Sequence, residues 1–288
     1  MIAPLVRRKV IIKEKARFDL SPLAEFWQSK KTMEEKNVQT ASSEPVVAKK
    51  LVERENYFAS LDVSKIEFTL EEMMKNGVHF GHQKARRNPK MDEYIFTTRK
   101  GINIIDLQKT QEKMQEAIDF IKAVKKSGKS ILFVGTKIQA KDLVADVARV
   151  SEMPFVTERW LGGTFTNFKV IRGRTRYLVE SQDKLAKNEY KKYTKFEQMK
   201  KIEELEKMEK RMGGIKFMTE LPGAIFAASI KEDNLAIVEA RKMGVPVIAI
   251  ADTNTDPSKV DYPIPANDDA ISSLRIILSY ALKAIKEA

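Results

Sequence analysis

The fold is decided by the stretch Ile131-Leu-Phe-Val-Gly-Thr-Lys137, in which four consecutive apolar residues are followed by a glycine turn. A continuous apolar run of this length is typical of a parallel strand that is buried on both faces. An amphipathic pattern follows at residues 138–150, and a second short apolar run comes at residues 154–156. This order of strand, helix and strand predicts a parallel sheet with right-handed crossovers.

The same alternation continues on both sides of this unit. Upstream, residues 107–126 place Met114, Ile118 and Ile121 on one face of a predicted helix. Downstream, Tyr262-Pro-Ile-Pro265 fits an edge strand, where proline is tolerated. The other downstream elements are strands at 224–227 and 247–250, a helix at 234–243 and a last helix starting at Asp268. Together these elements predict a three-layer α/β domain.

Residues 168–212 interrupt the alternation with a long charged segment. Apolar residues step by three and four along two arms, which predicts a coiled-coil hairpin of two helices inserted in the α/β domain. The segment carries 14 Lys and Arg against 8 Asp and Glu. Three of these cations, Arg172, Arg174 and Arg176, cluster near the predicted base. The predicted seam residues are Phe168, Ile171, Thr175, Leu178, Gln182, Leu185, Ile202, Leu205, Met208 and Met212.

Residues 1–67 differ from the rest of the chain. They contain 13 Lys and Arg and 10 Asp and Glu, without a sustained apolar period. We expect an extension that is partly disordered or ordered only by a partner, and that serves as a docking arm in one hypothesis. The α/β domain is then expected at residues 68–167 and 213–288. Six acidic residues before residue 45 argue against an organellar targeting peptide, because such peptides are poor in acids.

Composition limits the classes of function. The 288 residues include 52 Lys and Arg against 40 Asp and Glu, giving a formal net charge of +12. Such a surplus favours a polyanionic partner. No cysteine is present, which excludes disulfides, thiolate metal sites and cysteine nucleophiles. No apolar run approaches the roughly 20 residues of a membrane span. We expect a soluble intracellular protein with no membrane partner and no stable homo-oligomer.

A basic segment precedes a predicted pair of strands, and two more cations lie in the turn between them. Apolar runs near residues 94–96 and 102–107 flank Thr97-Thr-Arg-Lys-Gly101, a pattern that predicts two strands joined by a tight turn. Six cations against two acids make this segment a candidate surface for phosphate. A solvated loop before an edge strand is the competing interpretation. The candidate RNA-contact residues here are Lys84, Arg86, Arg87, Lys90, Arg99 and Lys100.

The stretch Arg159-Trp-Leu-Gly-Gly-Thr164 is a second candidate for RNA contact. Its two glycines permit close backbone approach, Trp160 offers a stacking face, and Arg159 can fork onto phosphate. A core tryptophan at a junction between elements is the alternative.

Small-molecule and metal sites are weaker hypotheses. The turn at Gly135 and the polar end of a strand at Asp252 mark the edge where α/β sheets bind ligands, which supports an enzyme acting on a nucleotide or sugar phosphate. The sequence lacks the G-x-G-x-x-G fingerprint of dinucleotide sites, so we favour ordinary turn and helix-cap roles for the residues at Gly135 and Asp252. His79 and His82 would share a metal, with an Asp as third ligand, if they lay on one helical turn, but a hydrogen-bonded structural role is favoured for them. No pattern marks a catalytic residue, and no cofactor is expected.

Seven motifs, taken together and in order, resemble the bacterial-type ribosomal protein S2 family of the small subunit. The resemblance covers about residues 68–285. The motifs are Gly77-Val-His-Phe-Gly-His-Gln83, Asn88-Pro-Lys-Met91, Ile104-Ile-Asp-Leu-Gln-Lys-Thr110, Phe133-Val-Gly-Thr-Lys137, Arg159-Trp-Leu-Gly-Gly-Thr164, Pro246-Val-Ile-Ala-Ile250 and Asp261-Tyr-Pro-Ile-Pro-Ala-Asn-Asp-Asp-Ala270.

The resemblance implies a fold and a role. The fold would be a five-stranded parallel sheet, flavodoxin- or Rossmann-like, with a protruding coiled-coil hairpin. The role would be that of a non-enzymatic component of the small ribosomal subunit, in the cytoplasm rather than in an organelle. Its partners would be ribosomal RNA, neighbouring subunit proteins and the large OB-repeat protein that recruits messenger RNA. The RNA-facing parts would be the segment 84–90 and the hairpin base at 172–176.

Overall fold

The computed structural model describes Phe58, residues 69–187 and residues 189–288. The predicted extension at residues 1–67 lies outside the described residues, apart from Phe58. The Phe58 side chain is fully buried in the first of two hydrophobic cores.

The described elements follow the predicted alternation. The strands are β1 (Phe80–Gln83), β2 (Ile95–Arg99), β3 (Ile102–Ile105), β4 (Ile131–Val134), β5 (Phe155–Val156), β6 (Ala224–Ala227), β7 (Val247–Ala251) and β8 (Tyr262–Pro265). The α-helices are α1 (Leu70–Lys75), α2 (Leu107–Lys126), α3 (Ile138–Ser151), α4 (Phe168–Ala186), α5 (Lys195–Met212), α6 (Asn234–Lys242) and α7 (Ile271–Lys286). Short 3-10 segments lie at Lys84–Arg86, Pro89–Tyr94, Glu189–Lys192, Gly213–Ile215 and Pro257–Lys259.

The main sheet has five parallel strands in the order β5-β4-β6-β7-β8. Counted along the chain within this sheet, the order is 2-1-3-4-5, which is the flavodoxin-like arrangement. In such a sheet the connections diverge between β4 and β6, and the carboxyl ends of the strands meet at one edge. The predicted α/β fold with a parallel sheet is therefore confirmed.

Two hydrophobic cores lie on opposite faces of this sheet. Successive residues of β4 alternate between them, with Phe133 in the first core and Val134 in the second. Helices α2, α3 and α7 supply the first core, and α6 with the chain around Trp160 and Met212 supplies the second. All four residues of β4 are apolar because the side chains on both faces of the strand pack into a hydrophobic core.

Local hydrogen bonds from side chains determine where the first and last helices begin. The Thr69 hydroxyl accepts a hydrogen bond from the Glu72 N–H at 3.3 Å, so α1 begins at Leu70. The last helix begins at Ile271 rather than at Asp268 as predicted. The Asn267 side chain accepts from the N–H groups of Asp269 and Ala270, which holds those residues in a turn before the helix.

A small antiparallel sheet, in the order β1-β3-β2, contains the predicted pair β2 and β3 and one strand that was not predicted. Strand β1 contains His82, so the expectation that His79 and His82 lie on a helical turn is wrong. Long-range pairing to β3 overrides the local pattern. A Cβ on Gly81 would come within 2.4 Å of the Thr253 side chain, so glycine permits β1 to approach the main-sheet edge.

Helices α4 and α5 form the inserted hairpin and pack on one another. The predicted seam residues Ile171, Leu178, Leu205 and Met212 are buried between or beneath them. The coiled-coil geometry itself stays a prediction. None of the described helices is long and apolar enough to cross a membrane.

Candidate nucleic-acid interface

The basic segment between β1 and β2 is built from two 3-10 turns fixed to neighbouring strands. The Lys84 N–H donates to the Gly101 carbonyl at 2.9 Å, and the Asn88 N–H donates to the Thr253 carbonyl at 2.8 Å. The Asn88 side chain caps the second turn by accepting from the Lys90 N–H at 3.0 Å. These bonds hold the segment in one place, so its cations are presented from a fixed backbone.

Two of the four cations in this segment are paired with carboxylates. Arg87 contacts Asp92 at 3.0 Å, and Lys90 contacts Asp256 at 2.8 Å. The hydrogen bonds from Lys90 and Ser258 lower the pKa of Asp256 to about 2. Lys84 and Arg86 are exposed and form no ion pair within residues 69–187 and 189–288. Within this part of the chain, their charges are therefore not neutralised by a neighbouring carboxylate.

The turn between β2 and β3 presents two more exposed cations, Arg99 and Lys100. Lys100 and Gly101 have φ values of 50° and 77°, and Arg99 pairs with Ile102 across the turn. Positive φ at both central residues matches the right-handed twist of a two-residue hairpin. The turn therefore has a defined shape.

The glycine-containing loop at residues 159–164 is organised around an internal carboxylate. Glu239, on α6, accepts hydrogen bonds from the N–H groups of Gly163 at 2.7 Å, Phe165 at 3.0 Å and Thr166 at 3.4 Å. Burial disfavours the charged carboxylate, but these bonds outweigh it and lower the pKa of Glu239. The backbone donors that were predicted to approach phosphate are thus used within the protein.

Trp160 and Arg159 are placed differently by this loop. Trp160 is 5% exposed and meets the Phe165 ring edge-on, with ring centroids 5.2 Å apart. Its faces pack in the second core, so the core interpretation describes it better than the stacking interpretation. Arg159 is exposed and remains a candidate for phosphate contact.

The hairpin arginines lie on the first turns of α4, where all three are exposed. Arg172 and Arg176 share a face because they are four residues apart. Arg174 lies about 200° around the helix from Arg172, given 3.6 residues per turn. The three therefore reach to two sides of the helix.

A charged cluster occupies the carboxyl edge of the main sheet. His82 Nδ1 lies 3.0 Å from Asp252, and its Nε2 lies 3.3 Å from Asp269. The Lys137 ammonium lies 2.7 Å from Asp268 and 2.6 Å from Asp269. The hydrogen bond to Asp252 raises the pKa of His82, and the three carboxylates act in the same direction against burial. The cluster ties β1 to the turns after β4, β7 and β8.

This cluster also gathers ligand atoms that suit a cation. His82, Asp252, Asp268 and Asp269 each offer one such atom, and these atoms lie within 4.8 Å of one another. His79 does not belong to the group, so the two histidines are not brought together on a common metal. The sequence analysis placed Asp252 and the turn that contains Lys137 at this edge, but it did not place Asp268 and Asp269 there. The available signal was that both acids follow the predicted edge strand at residues 262–265.

The Gly135 turn, which supported the enzyme alternative, also holds an internal carboxylate. Asp233 accepts from the Thr136 N–H at 3.0 Å and from its hydroxyl at 2.8 Å. The N–H that would bind a phosphate at this strand end is therefore already used. Burial raises the pKa of Asp233 to about 6, against the opposing effect of these bonds.

An apolar groove, which the sequence did not reveal, lies where α1, β2 and the start of α2 meet. Leu70, Met74, Phe96 and Leu107 line a cavity of about 320 Å³, together with Glu71, Asp106 and Gln108. Phe96 is 75% exposed in this position. Exposed apolar surface of this kind, bordered by acids, suits a protein segment that is both apolar and basic.

Comparison with known proteins adds a family. A family model described as ribosomal protein S2 matches residues 73–288. A protein named small ribosomal subunit protein uS2, from Amoebophilus asiaticus (strain 5a2), is 46% identical over 222 residues, which are 77% of this chain and 71% of the relative. Proteins of the same name from Roseiflexus castenholzii (strain DSM 13941 / HLO8) and Roseiflexus sp. (strain RS-1) are each 49% identical over 209 residues, covering 73% of this chain and 80% of each relative.

Proposed function

The chain belongs to the ribosomal protein S2 family, and we propose that it works in the small ribosomal subunit by binding ribosomal RNA through exposed cations. Its relatives are named as small-subunit ribosomal proteins, so a structural role in that subunit follows from the family. The expectation that the chain is a structural protein rather than an enzyme is confirmed on the same ground.

One observation carries the RNA proposal. Lys84 and Arg86 are exposed on a 3-10 turn that begins with a backbone hydrogen bond to Gly101 in the turn between β2 and β3. Two residues after that turn, the Asn88 N–H is bonded to the loop after β7. A fixed backbone lowers the entropy that binding must remove from the segment. A phosphate that binds Lys84 and Arg86 would not have to displace from them any carboxylate of the described residues. Arg99, Lys100, Arg159, Arg172, Arg174 and Arg176 are exposed as well and extend the proposed contact.

This binding would depend on phosphates more than on base edges. Lysine and arginine neutralise backbone charge, and the major groove of an RNA helix is too narrow for side chains to read. Affinity should therefore fall steeply as salt rises. Arg87 and Lys90 contribute less in this proposal, since Asp92 and Asp256 already hold them.

The apolar groove is proposed as the docking place for a neighbouring subunit protein, the messenger-recruiting OB-repeat protein. Leu70, Met74 and Phe96 supply an exposed apolar floor, and Glu71 with Asp106 supplies negative charge beside it. The groove uses none of the proposed RNA contacts, so both partners can bind together. We further propose that the chain acts in cytoplasmic ribosomes as a single copy, without a membrane partner.

The RNA proposal is tested by charge reversal in cells that express a tagged chain. The double variant Lys84→Glu with Arg86→Glu should be depleted from small subunits in sucrose gradients, because two phosphate contacts become repulsive. The matched control is Lys126→Glu with Lys129→Glu, which makes the same charge change on exposed residues between α2 and β4. Equal incorporation of the two double variants would contradict the proposal.

A further inference from the structure

We propose that the outer end of the hairpin stacks on an unpaired base of RNA, an inference that rests on the proposed function and specifies part of it. The surface involved, here called the tip surface, combines three apolar side chains with three lysines. Its members are Tyr193, Phe196, Met199, Lys192, Lys195 and Lys200.

The apolar members of the tip surface are exposed although the hairpin has a buried seam of its own. Phe196 is 64% exposed and Met199 is 69% exposed. They lie three residues apart on one face of α5. The opposite face of α5 carries Leu205 and Met212, which are buried. Packing within the hairpin therefore does not account for the apolar residues at its end.

The backbone that carries the aromatic rings of the tip surface is held in place before any ligand arrives. Thr194 and Glu197 form a reciprocal capping box that fixes the first turn of α5 between Tyr193 and Phe196. The Tyr193 N–H donates to the Tyr190 carbonyl at 3.0 Å, and the Gln198 side chain donates to the Tyr193 carbonyl at 2.9 Å. A ring with a fixed backbone loses little freedom when a base stacks on it.

One lysine contacts a ring of the tip surface, and two others are its neighbours in the sequence. The Lys200 ammonium lies 4.6 Å from the centroid of the Phe196 ring, and Lys192 and Lys195 are exposed nearby in sequence. Residues 184–201 carry seven lysines and two acids. A cation beside an aromatic face combines phosphate attraction with base stacking, which is the usual chemistry of single-stranded nucleic-acid sites.

The charge favours RNA over a protein partner. Lysine is depleted at the centre of protein interfaces, whereas the tip surface has as many lysines as apolar residues. Bases inside a duplex are stacked on each other and hide their faces, so an aromatic platform needs an unpaired base. The geometry points to a loop or bulge of folded RNA.

The experiment compares two RNAs with the full-length chain. One is a stem-loop with 2-aminopurine in the loop, and the other is the same stem as a blunt duplex. The wild type should bind the stem-loop more tightly and quench the 2-aminopurine. The double variant Tyr193→Ala with Phe196→Ala should bind the stem-loop roughly tenfold more weakly, with duplex binding unchanged.

A matched control separates stacking from general loss of apolar surface. Phe217 is 80% exposed and has the Lys216 ammonium 5.4 Å from its ring centroid, but it lies outside the hairpin. Phe217→Ala should leave both affinities unchanged. Phe196→Trp, made in the wild-type chain, should retain quenching, since the larger ring preserves the platform.

The outcomes are distinguishable from failure of the proposed function. Equal stem-loop affinity for the wild type and the double alanine variant would overturn the stacking inference while RNA binding stands. If the double alanine variant bound both RNAs like the wild type but was lost from small subunits, the stacking inference would be overturned in favour of a contact with another protein. A wild type that binds neither RNA would remove the proposed function, and the inference with it.

Discussion

At the scale of the residue, two buried carboxylates bind the backbone N–H groups of two loops at the sheet edge. Glu239 holds the glycine-containing loop through N–H groups of Gly163, Phe165 and Thr166, and Asp233 holds the turn after β4 through Thr136. Both loops were candidates for phosphate contact in the sequence. In each, an internal anion takes the position that a ligand would need.

The first prediction concerns Glu239→Ala. It leaves one buried and two partly buried N–H groups without an acceptor. The free energy of unfolding should therefore fall by about 3 kcal/mol, as measured by urea denaturation. The control Glu232→Ala removes an exposed carboxylate close by in sequence. It should change the free energy of unfolding by less than about 0.5 kcal/mol. Equal effects of the two variants would show that the Glu239 bonds contribute no net stability.

The second prediction concerns pH and Asp233. Its pKa is raised to about 6 in the folded protein. An aspartate in an unfolded chain has a pKa of about 3.9. The folded state binds the proton more tightly, so this contribution to stability is fully present below about pH 4 and is lost as pH rises through about 6.

Asp233→Asn removes that titration. As pH falls from 7 to 4, the wild type should gain up to about 3 kcal/mol relative to Asp233→Asn, measured by urea denaturation at each pH. The change in the difference is the readout, because the amide also alters the hydrogen bonds to Thr136 and Ser229. A difference that stays constant across this range would refute the raised pKa.

Sequence reasoning at this scale identifies residue types but not their partners. Arg86, Arg87 and Lys90 look alike in the sequence, yet Asp92 and Asp256 hold two of them. Asp256 is 166 residues from Lys90 along the chain. Such pairing depends on the fold and has no local signal. Trp160 is a similar case, since burial against Phe165 is a tertiary property.

At the scale of the element, the base of the hairpin packs on the α/β domain, whereas its outer part does not. Its base shares the second core of the α/β domain through Ile171 and Met212, whereas Leu178 and Leu205 are buried outside both cores. The outer part therefore depends mainly on contacts within the hairpin, between α4 and α5 and between α4 and the 3-10 segment Glu189–Lys192. A short self-contained pair of helices can open locally without unfolding the sheet.

The third prediction follows from that division. Leu178→Ala removes a fully buried side chain and should weaken the outer hairpin by about 2 to 5 kcal/mol. Amide hydrogen exchange should speed up at the outer parts of α4 and α5 and stay slow in β4 and β6. Val170→Ala changes a half-exposed residue of the same helix and serves as the control. Faster exchange in the sheet as well would mean that hairpin and sheet unfold together.

Elements with a strong period were predicted well, and elements that depend on distant pairing were not. Helix α2 and the strands β4 and β6 lie where the sequence placed them, because local pattern and burial agree. Strand β1 was missed because Phe80-Gly-His-Gln83 has no alternating pattern and is defined by pairing with β3. The apolar groove was missed for the same reason, since three separate elements form it.

At the scale of the whole molecule, the distribution of charge separates two kinds of surface. The cations proposed for RNA lie on turns and on the hairpin, while the apolar groove is bordered by acids. Within residues 69–187 and 189–288, the exposed cations and the acid-bordered groove therefore lie in distinct regions. Long-range attraction would bring the chain to RNA, and the placement of the cations would set its orientation.

The most direct test of the central claim, that fixed exposed cations hold this chain on ribosomal RNA, is cross-linking of RNA to protein in purified small subunits, followed by mass spectrometry of the tagged chain. RNA adducts should appear on peptides containing Lys84 and Arg86 and on peptides containing Arg172 to Arg176, and should be scarce on the surface around Lys126. A chain that is present in small subunits but carries no adduct on either set of peptides would contradict the account.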